Sequence, residues 1–254
     1  MPTNGYTRAA IATLMFVSLS SFYSGIALQF EANSDSASMF LQAIDMARGN
    51  ILLKGWDLST VSFYFTEIVP HAIAIAIFGE HNILLYIVPA VMYAALVMLL
   101  YVLMRQKGTI PSSIVGLAFI AIPSAGMIPI IMIGAIHIGA YALIAAAYLA
   151  LGKMETSGKA ALFSIAIFGL MTIAMVSDGL TLYVGVAPMI LASVAMGWTK
   201  KKSYYWFAAF ACVSSLFAAK ALAWLFGALG AFNIPGIPAP HFIALNDLDQ
   251  NIFL

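Results

Sequence analysis

Along the chain, apolar stretches of roughly 20 residues alternate with short polar breaks, and only one break, residues 29–82, is long. A bilayer's hydrocarbon core takes about 20 helical residues to cross. Backbone groups inside it must be satisfied within their own segment, so each long apolar run reads as a helix. Seven spans follow: 9–28, 83–104, 113–125, 129–151, 160–176, 180–198 and 204–229, the third of them short and bounded by proline. The expected fold is all-α, a single polytopic membrane helical bundle with about seven transmembrane helices. A long first extracytoplasmic loop (29–82) and an extracytoplasmic tail (230–254) complete it.

Composition narrows the class further. Hydrophobic residues make up 63% of the 254 and charged residues 8%, against about 45–50% and about 25% in soluble domains, which excludes an ordinary soluble protein. A net charge of +1 provides no basic surface for a nucleic-acid backbone. The single cysteine, Cys212, sits in an apolar run and reads as a small buried hydrophobe, with no partner for an intramolecular disulfide.

Charge also orients the bundle, because lysine and arginine resist translocation. Arg8, Arg105, Lys107, Lys153, Lys159, Lys200, Lys201 and Lys202 all fall in cytoplasmic segments if the N-terminus is cytoplasmic. The acids divide the other way: Glu31, Asp35, Asp45, Asp57, Glu67, Glu80, Asp178, Asp247 and Asp249 fall outside, and only Glu155 inside. A cleaved signal peptide over the first 28 residues is disfavoured, since its apolar region exceeds the usual stretch of about 7–15 residues.

The loop holds most of the polar chemistry, and long ordered loops are usually functional. Residues 36–48 place Ala37, Phe40, Leu41, Ile44 and Ala47 on one helical face, with Gly49-Asn50 as the stop. Residues 68–78 form a second apolar stretch, too short to cross, that ends at Gly79. Both read as helices lying along the outer membrane surface. Asp35 precedes the first, where a carboxylate favours the positive end of the helix dipole. Ser34 or Asp35 serves there as an N-cap, or Asp35 is a catalytic acid.

Asn33-Ser34-Asp35-Ser36-Ala37, then Asp45, Gly49-Asn50, Gly55-Trp56, Ser62-Phe63-Tyr64 and Thr66-Glu67 resemble, in order and setting, the first outer loop of GT-C superfamily membrane glycosyltransferases. The nearer likeness is to bacterial relatives of the protein mannosyltransferases and aminoarabinose transferases. The resemblance covers the layout from Ala9 onward and is sharp in the loop. It implies a bacterial inner-membrane protein with a cytoplasmic N-terminus and an essential acid near the start of the loop, here Asp35. It also implies a polyprenyl-phosphate sugar as donor. Two departures stand out. Members carry further spans, which implies either a truncated or split gene product or a second polypeptide that supplies them. Glu67 stands where an Asp or a Lys-Pro pair is more usual.

Polar groups near span ends face protein or a water-filled cavity, because lipid exposure costs about 2.5–3.5 kcal/mol each. His137, at the outer end of the fourth span, stands at the height where similar enzymes place an acid contacting the reaction centre; an interhelical hydrogen bond explains it equally well. Asp178 follows Ser177 in an outer hairpin, where Ser-Asp-Gly is also turn chemistry. Lys220, embedded in the last span, snorkels, pairs with an acid or meets a lipid phosphate, with Arg48 and Lys54 of the loop as competitors for that phosphate. The histidines lack zinc spacing. Carboxylates such as Asp35 and Glu67 offer the oxygens a divalent cation prefers, and the resemblance leaves metal open, since some members of the superfamily need one and others do not. Partners on this reading are the donor, membrane lipid and a second chain, with Asp35 as the base for the acceptor. The rival is a non-enzymatic membrane protein, a transporter half or a scaffold whose outer loop binds a partner.

Overall fold

Proline and glycine decide where the long apolar runs become helices and where they break. The computed structural model describes residues 5–235 except 125, 134 and 135. Its α-helices are α1 (Gly5–Ala27), α2 (Ser34–Ala47), α3 (Val69–Phe78), α4 (Leu84–Lys107), α5 (Ile110–Ala121), α6 (Ile138–Ser157), α7 (Ala160–Ser177), α8 (Ala187–Lys200) and α9 (Ser203–Ala228). Six helical stretches are long and apolar enough to cross a membrane: α1, α4, α6, α7, α8 with the turn before it, and α9. No strand forms among the described residues; an isolated bridge joins Asp57 to Asn233.

The third predicted span is corrected. Helix α5 has 12 residues, about 18 Å at 1.5 Å per residue, and stops partway along the bundle. A π-type turn at Pro129–Ile133 continues the climb, so these residues belong with the third crossing and not, as expected, with the fourth, which begins at Ile138. The two halves together return the chain from the end of α4 to the start of α6. Those helices run parallel: Gln106 near the end of α4 lies against Gly152 near the end of α6. A helix broken in an apolar interior leaves carbonyls without partners. Here Tyr23 Oη of α1 donates to Ala121 O at 2.9 Å, and Tyr93 Oη of α4 donates to Ile120 O.

The other π-type turns have a local cause. Pro70 and Pro188 lack the N–H that would close an α-turn on Thr66 and Val184, and the backbone widens to π spacing at Tyr64–Ile68 and Leu182–Val186. The helices pack in the order α1, α4, α6, α7, α9, α8, with α5 on α4. Alanines at the seams, such as Ala90, Ala94, Ala147, Ala208 and Ala211, are buried and let the backbones approach.

The long loop is folded around Phe40, Ala43, Leu53, Tyr64, Ile68 and Ile75, a core it shares with Leu84, Leu85 and Val88 of α4. Its buried stripe on α2 runs through Ser36, Met39, Phe40, Ala43 and Met46. The expected face is therefore rotated: Leu41 is 55% exposed. Helix α2 is apolar on two sides, and burial selects the methionine side. The chain after α9 returns to the same layer, where Phe232 N donates to Leu52 O, Asn233 N to Trp56 O and Leu58 N to Asn233 O at 2.8–3.0 Å. The tail acids Asp247 and Asp249 lie outside the described residues. One end of the bundle thus carries the loop layer, and the other carries Arg105, Lys153 and Lys200.

Candidate functional site

At the loop end, the start of α2, residues 59–63 and the corner before α6 enclose a cavity of about 270 Å³. Its polar wall includes Asp35, Gln42, Ser59, Thr60, Ser62 and His137. Asp35 is exposed at the rim and makes no hydrogen bond or ion pair among the described residues. It does not cap α2, and neither does Ser34: Asn33 is the N-cap, its Oδ1 accepting from Ser36 N at 2.8 Å. That correction releases the Asp35 carboxylate from a structural task, since Asn33 supplies the capping oxygen from outside the helix.

His137 stands opposite, at the turn into α6. Its Nδ1 lies 2.5 Å from Asp178 Oδ2, and Asp178 is almost fully buried. Beside a carboxylate, Nδ1 carries the proton, which leaves Nε2 as the ring's other polar atom. Asp178 is itself fixed at the end of α7, where its Oδ1 accepts from Leu180 N at 2.9 Å. Asp178 does not line the cavity: one oxygen holds the turn and the other holds the histidine.

Two non-glycine residues of this wall, Phe63 (φ 51°) and His137 (φ 65°), adopt left-handed backbone conformations, and their rings lie 5.6 Å apart. Such strain costs on the order of 1–3 kcal/mol and persists where the surroundings over-determine it. The surroundings here are specific. Phe63 N donates to Ser177 O at 2.9 Å, Ser62 Oγ to Val176 O at 2.9 Å, and Phe65 N to Ser177 Oγ at 3.0 Å. The loop is thereby stitched to the end of α7, the helix that presents Asp178.

Glu67 is wholly buried behind this wall. Its carboxyl accepts from Thr66 Oγ1 and, through Oε1, from Gly139 N at 3.2 Å, a free N–H of the first turn of α6. Gly139 sits so close to the π-turn that a Cβ there would lie 2.3 Å from Thr66 O. Glu67 therefore positions the residue two places after His137 and does not line the cavity. Burial pushes its pKa up to about 8, against the lowering effect of the Thr66 and Gly139 hydrogen bonds. His71, whose Nδ1 lies 2.8 Å from Glu67 O, is pushed down to about 4 by burial.

The remaining predicted residues stand elsewhere. Arg48 makes a two-pronged ion pair with Glu80, both bonds 2.7 Å, tying the end of α2 to the turn before α4. Lys54 is exposed on the loop, and its backbone N–H donates to Asn50 Oδ1. Lys220 lies on the outer face of α9. None of the three lines the cavity. Asp45 accepts from Trp56 Nε1 at 2.8 Å and Asn50 Nδ2 at 2.6 Å, bonds that hold its carboxyl below the usual range and pin the Gly49–Gly55 turn. No three His, Cys, Asp or Glu side chains come together to hold a metal among the described residues, and Asp35 and Glu67 are not paired as cation ligands. Gln42, Ser59, Thr60 and Ser62 were not anticipated as wall residues; the polar run 59–62 was the available signal. Compared with family models, characterised proteins and solved structures, the chain matches none.

Proposed function

We propose that this chain acts as a membrane glycosyltransferase, taking a sugar from a polyprenyl-phosphate donor to an acceptor at the loop end of the bundle. The observation that carries the reading is a single polar cavity with an unpaired carboxylate, Asp35, on one side and an aspartate-backed imidazole, His137, on the other. An acceptor hydroxyl attacks the anomeric carbon, and the bond from that carbon to the phosphate oxygen breaks. The hydroxyl proton passes to Asp35, the polyprenyl phosphate departs with the electron pair of the broken bond, and His137 Nε2, unprotonated, accepts a hydrogen bond from a hydroxyl of the sugar. Holding both partners in one cavity supplies proximity, worth about 7–11 kcal/mol in favourable geometry.

On this reading the cationic end is cytoplasmic and the loop end faces outward, as the distribution of lysine and arginine favours. The exposed apolar residues of the loop layer, Leu41, Ile73, Ile77 and Phe78, then meet the membrane interface. The transporter reading draws on the broken third crossing, since transporters use the ends of interrupted helices to hold ions. In this chain Tyr23 and Tyr93 already occupy the carbonyls at that break, which favours the enzyme.

The test is equilibrium binding of a radiolabelled polyprenyl-phosphate sugar to the purified chain. Saturable binding that His137→Ala weakens supports the reading. Saturable binding unchanged by that substitution, or none in the presence of any polypeptide that co-purifies, overturns it.

A further inference from the structure

At the opposite end of the bundle a second hollow has no part in this chemistry. Helix α6 forms its floor, α4 one wall, and α8 with Tyr205 of α9 the other; it measures about 440 Å³. Leu103 and Tyr148 also line a neighbouring hollow of about 350 Å³ farther along α4 and α6. The two form one groove, which follows α6 from Glu155 to Tyr141, about 21 Å at 1.5 Å per residue. Its walls are apolar along most of that length, with Leu96, Leu100, Leu103, Ile144 and Leu151 among them.

Among the described residues, the groove's one charged lining residue, Glu155, and most of its polar groups stand at the cationic end. Gln106 and Tyr205 line the groove there, and Lys200 Nζ donates to Tyr205 Oη at 3.4 Å, leaving two of its three ammonium protons for another acceptor. The acid on this wall, Glu155, accepts from Tyr205 Oη. Arg105 and Lys153 flank the same end. Deeper in, Ser193 is 1% exposed, lines the groove and has an Oγ without a hydrogen-bond partner. A buried hydroxyl left unpaired is costly, and most mid-helix serines escape the cost by bonding back to their own helix. Ser193 lies seven residues before Lys200 on α8, about 10 Å deeper along the axis.

We propose that this groove holds an anionic phospholipid of the surrounding bilayer. Its phosphate lies at Lys200 and Gln106, an ester carbonyl accepts from Ser193 Oγ, and one acyl chain runs along α6 beneath Leu103 and Tyr148. The spacing from Lys200 to Ser193 matches a headgroup followed by its glycerol esters. Charge selects the lipid: a zwitterionic choline headgroup would set its own ammonium among Lys200, Arg105 and Lys153, whereas phosphatidylglycerol brings negative charge alone. The site is independent of the proposed glycosyl transfer.

The experiment is native mass spectrometry of the purified full chain, exchanged into mixed micelles with equal phosphatidylglycerol and phosphatidylcholine. Phosphatidylglycerol should be retained at least about fivefold more, the preference expected for one lysine near a lipid phosphate. Lys200→Gln should abolish most of that preference, and Lys200→Arg should keep it. Ser193→Ala should weaken retention of both lipids. Lys200 is exposed at a helix end, so its substitutions leave the fold intact. Equal retention of the two lipids by the unmodified chain, or a preference that survives Lys200→Gln, would overturn the proposal.

Discussion

His137 and Asp178, 41 residues apart in the chain, meet with Nδ1 and Oδ2 2.5 Å apart at the wall of the loop-end cavity. Neither end of that contact is free to drift. Asp178 is held by the α7–α8 hairpin through Leu180 N, and His137 by a strained turn whose helix Glu67 anchors through Gly139 N.

Asp178→Asn is the sharpest probe of the pair. The new side-chain oxygen still accepts from Leu180 N, so the hairpin remains, but the amide now donates toward His137 and forces the other tautomer. With Nε2 protonated the ring no longer accepts from the sugar, and transfer should fall by about 10–100-fold, the cost of leaving a polar group without its partner. Nitrogen NMR of the labelled histidine should show the proton moved from Nδ1 to Nε2.

Glu67 and His71 give the fold a pH signature. The folded chain keeps the Glu67 proton up to about pH 8, whereas an ordinary glutamate loses it near 4.5. Stability from this group is therefore complete below pH 4.5 and is lost as pH rises through 8. His71 acts in the other direction: its pKa falls from 6.5 to about 4 in the fold, so its contribution is lost on acidification between those values. Above pH 6.5 only the Glu67 effect remains. The melting temperature in detergent should decline from pH 6.5 to 8, and Glu67→Gln should flatten that decline while preserving the bond from Gly139 N. Glu67→Ala should lower the melting temperature at every pH.

The tyrosines at the broken crossing are a test of the fold alone. Tyr23→Phe or Tyr93→Phe removes the donor to Ala121 O or Ile120 O, leaving a helix-end carbonyl unpaired in an apolar interior. Each substitution should cost about 1–3 kcal/mol, seen as a lower midpoint in denaturant titration of the micellar protein, with transfer retained at low temperature.

The long helices and the sorting of charge to opposite ends were readable because both rest on runs of residues: twenty apolar positions admit little besides a helix in a membrane. The break at residues 122–137 was half readable. Pro123 and Pro129 announced an interruption, but uniform hydrophobicity on both sides hid which crossing Pro129–Ile133 joins. On α2 the buried face was missed because Met39, Ala43 and Met46 are as apolar as Ala37 and Leu41, so pattern alone could not select the side. Asp35, His137, Asp178 and Glu67 were each marked by being polar at the end of an apolar run or in the loop. Their grouping was not legible, because it depends on tertiary contacts such as Ser62 to Val176 and Gly139 to Thr66. These contacts also divide their roles, with Asp35 and His137 on the cavity and Glu67 and Asp178 behind it.

The most direct measurement is glycosyl transfer from a polyprenyl-phosphate sugar in membranes containing either the unmodified chain or Asp35→Asn, with equal insertion and equal melting temperature checked for both. Asn33 caps α2 in either protein, so the substitution leaves the helix intact and removes only the proposed base. Transfer by the unmodified chain and a loss of at least about 10²-fold in the variant is the predicted result. Equal transfer by the two proteins would contradict the assignment of the cavity as the site of chemistry.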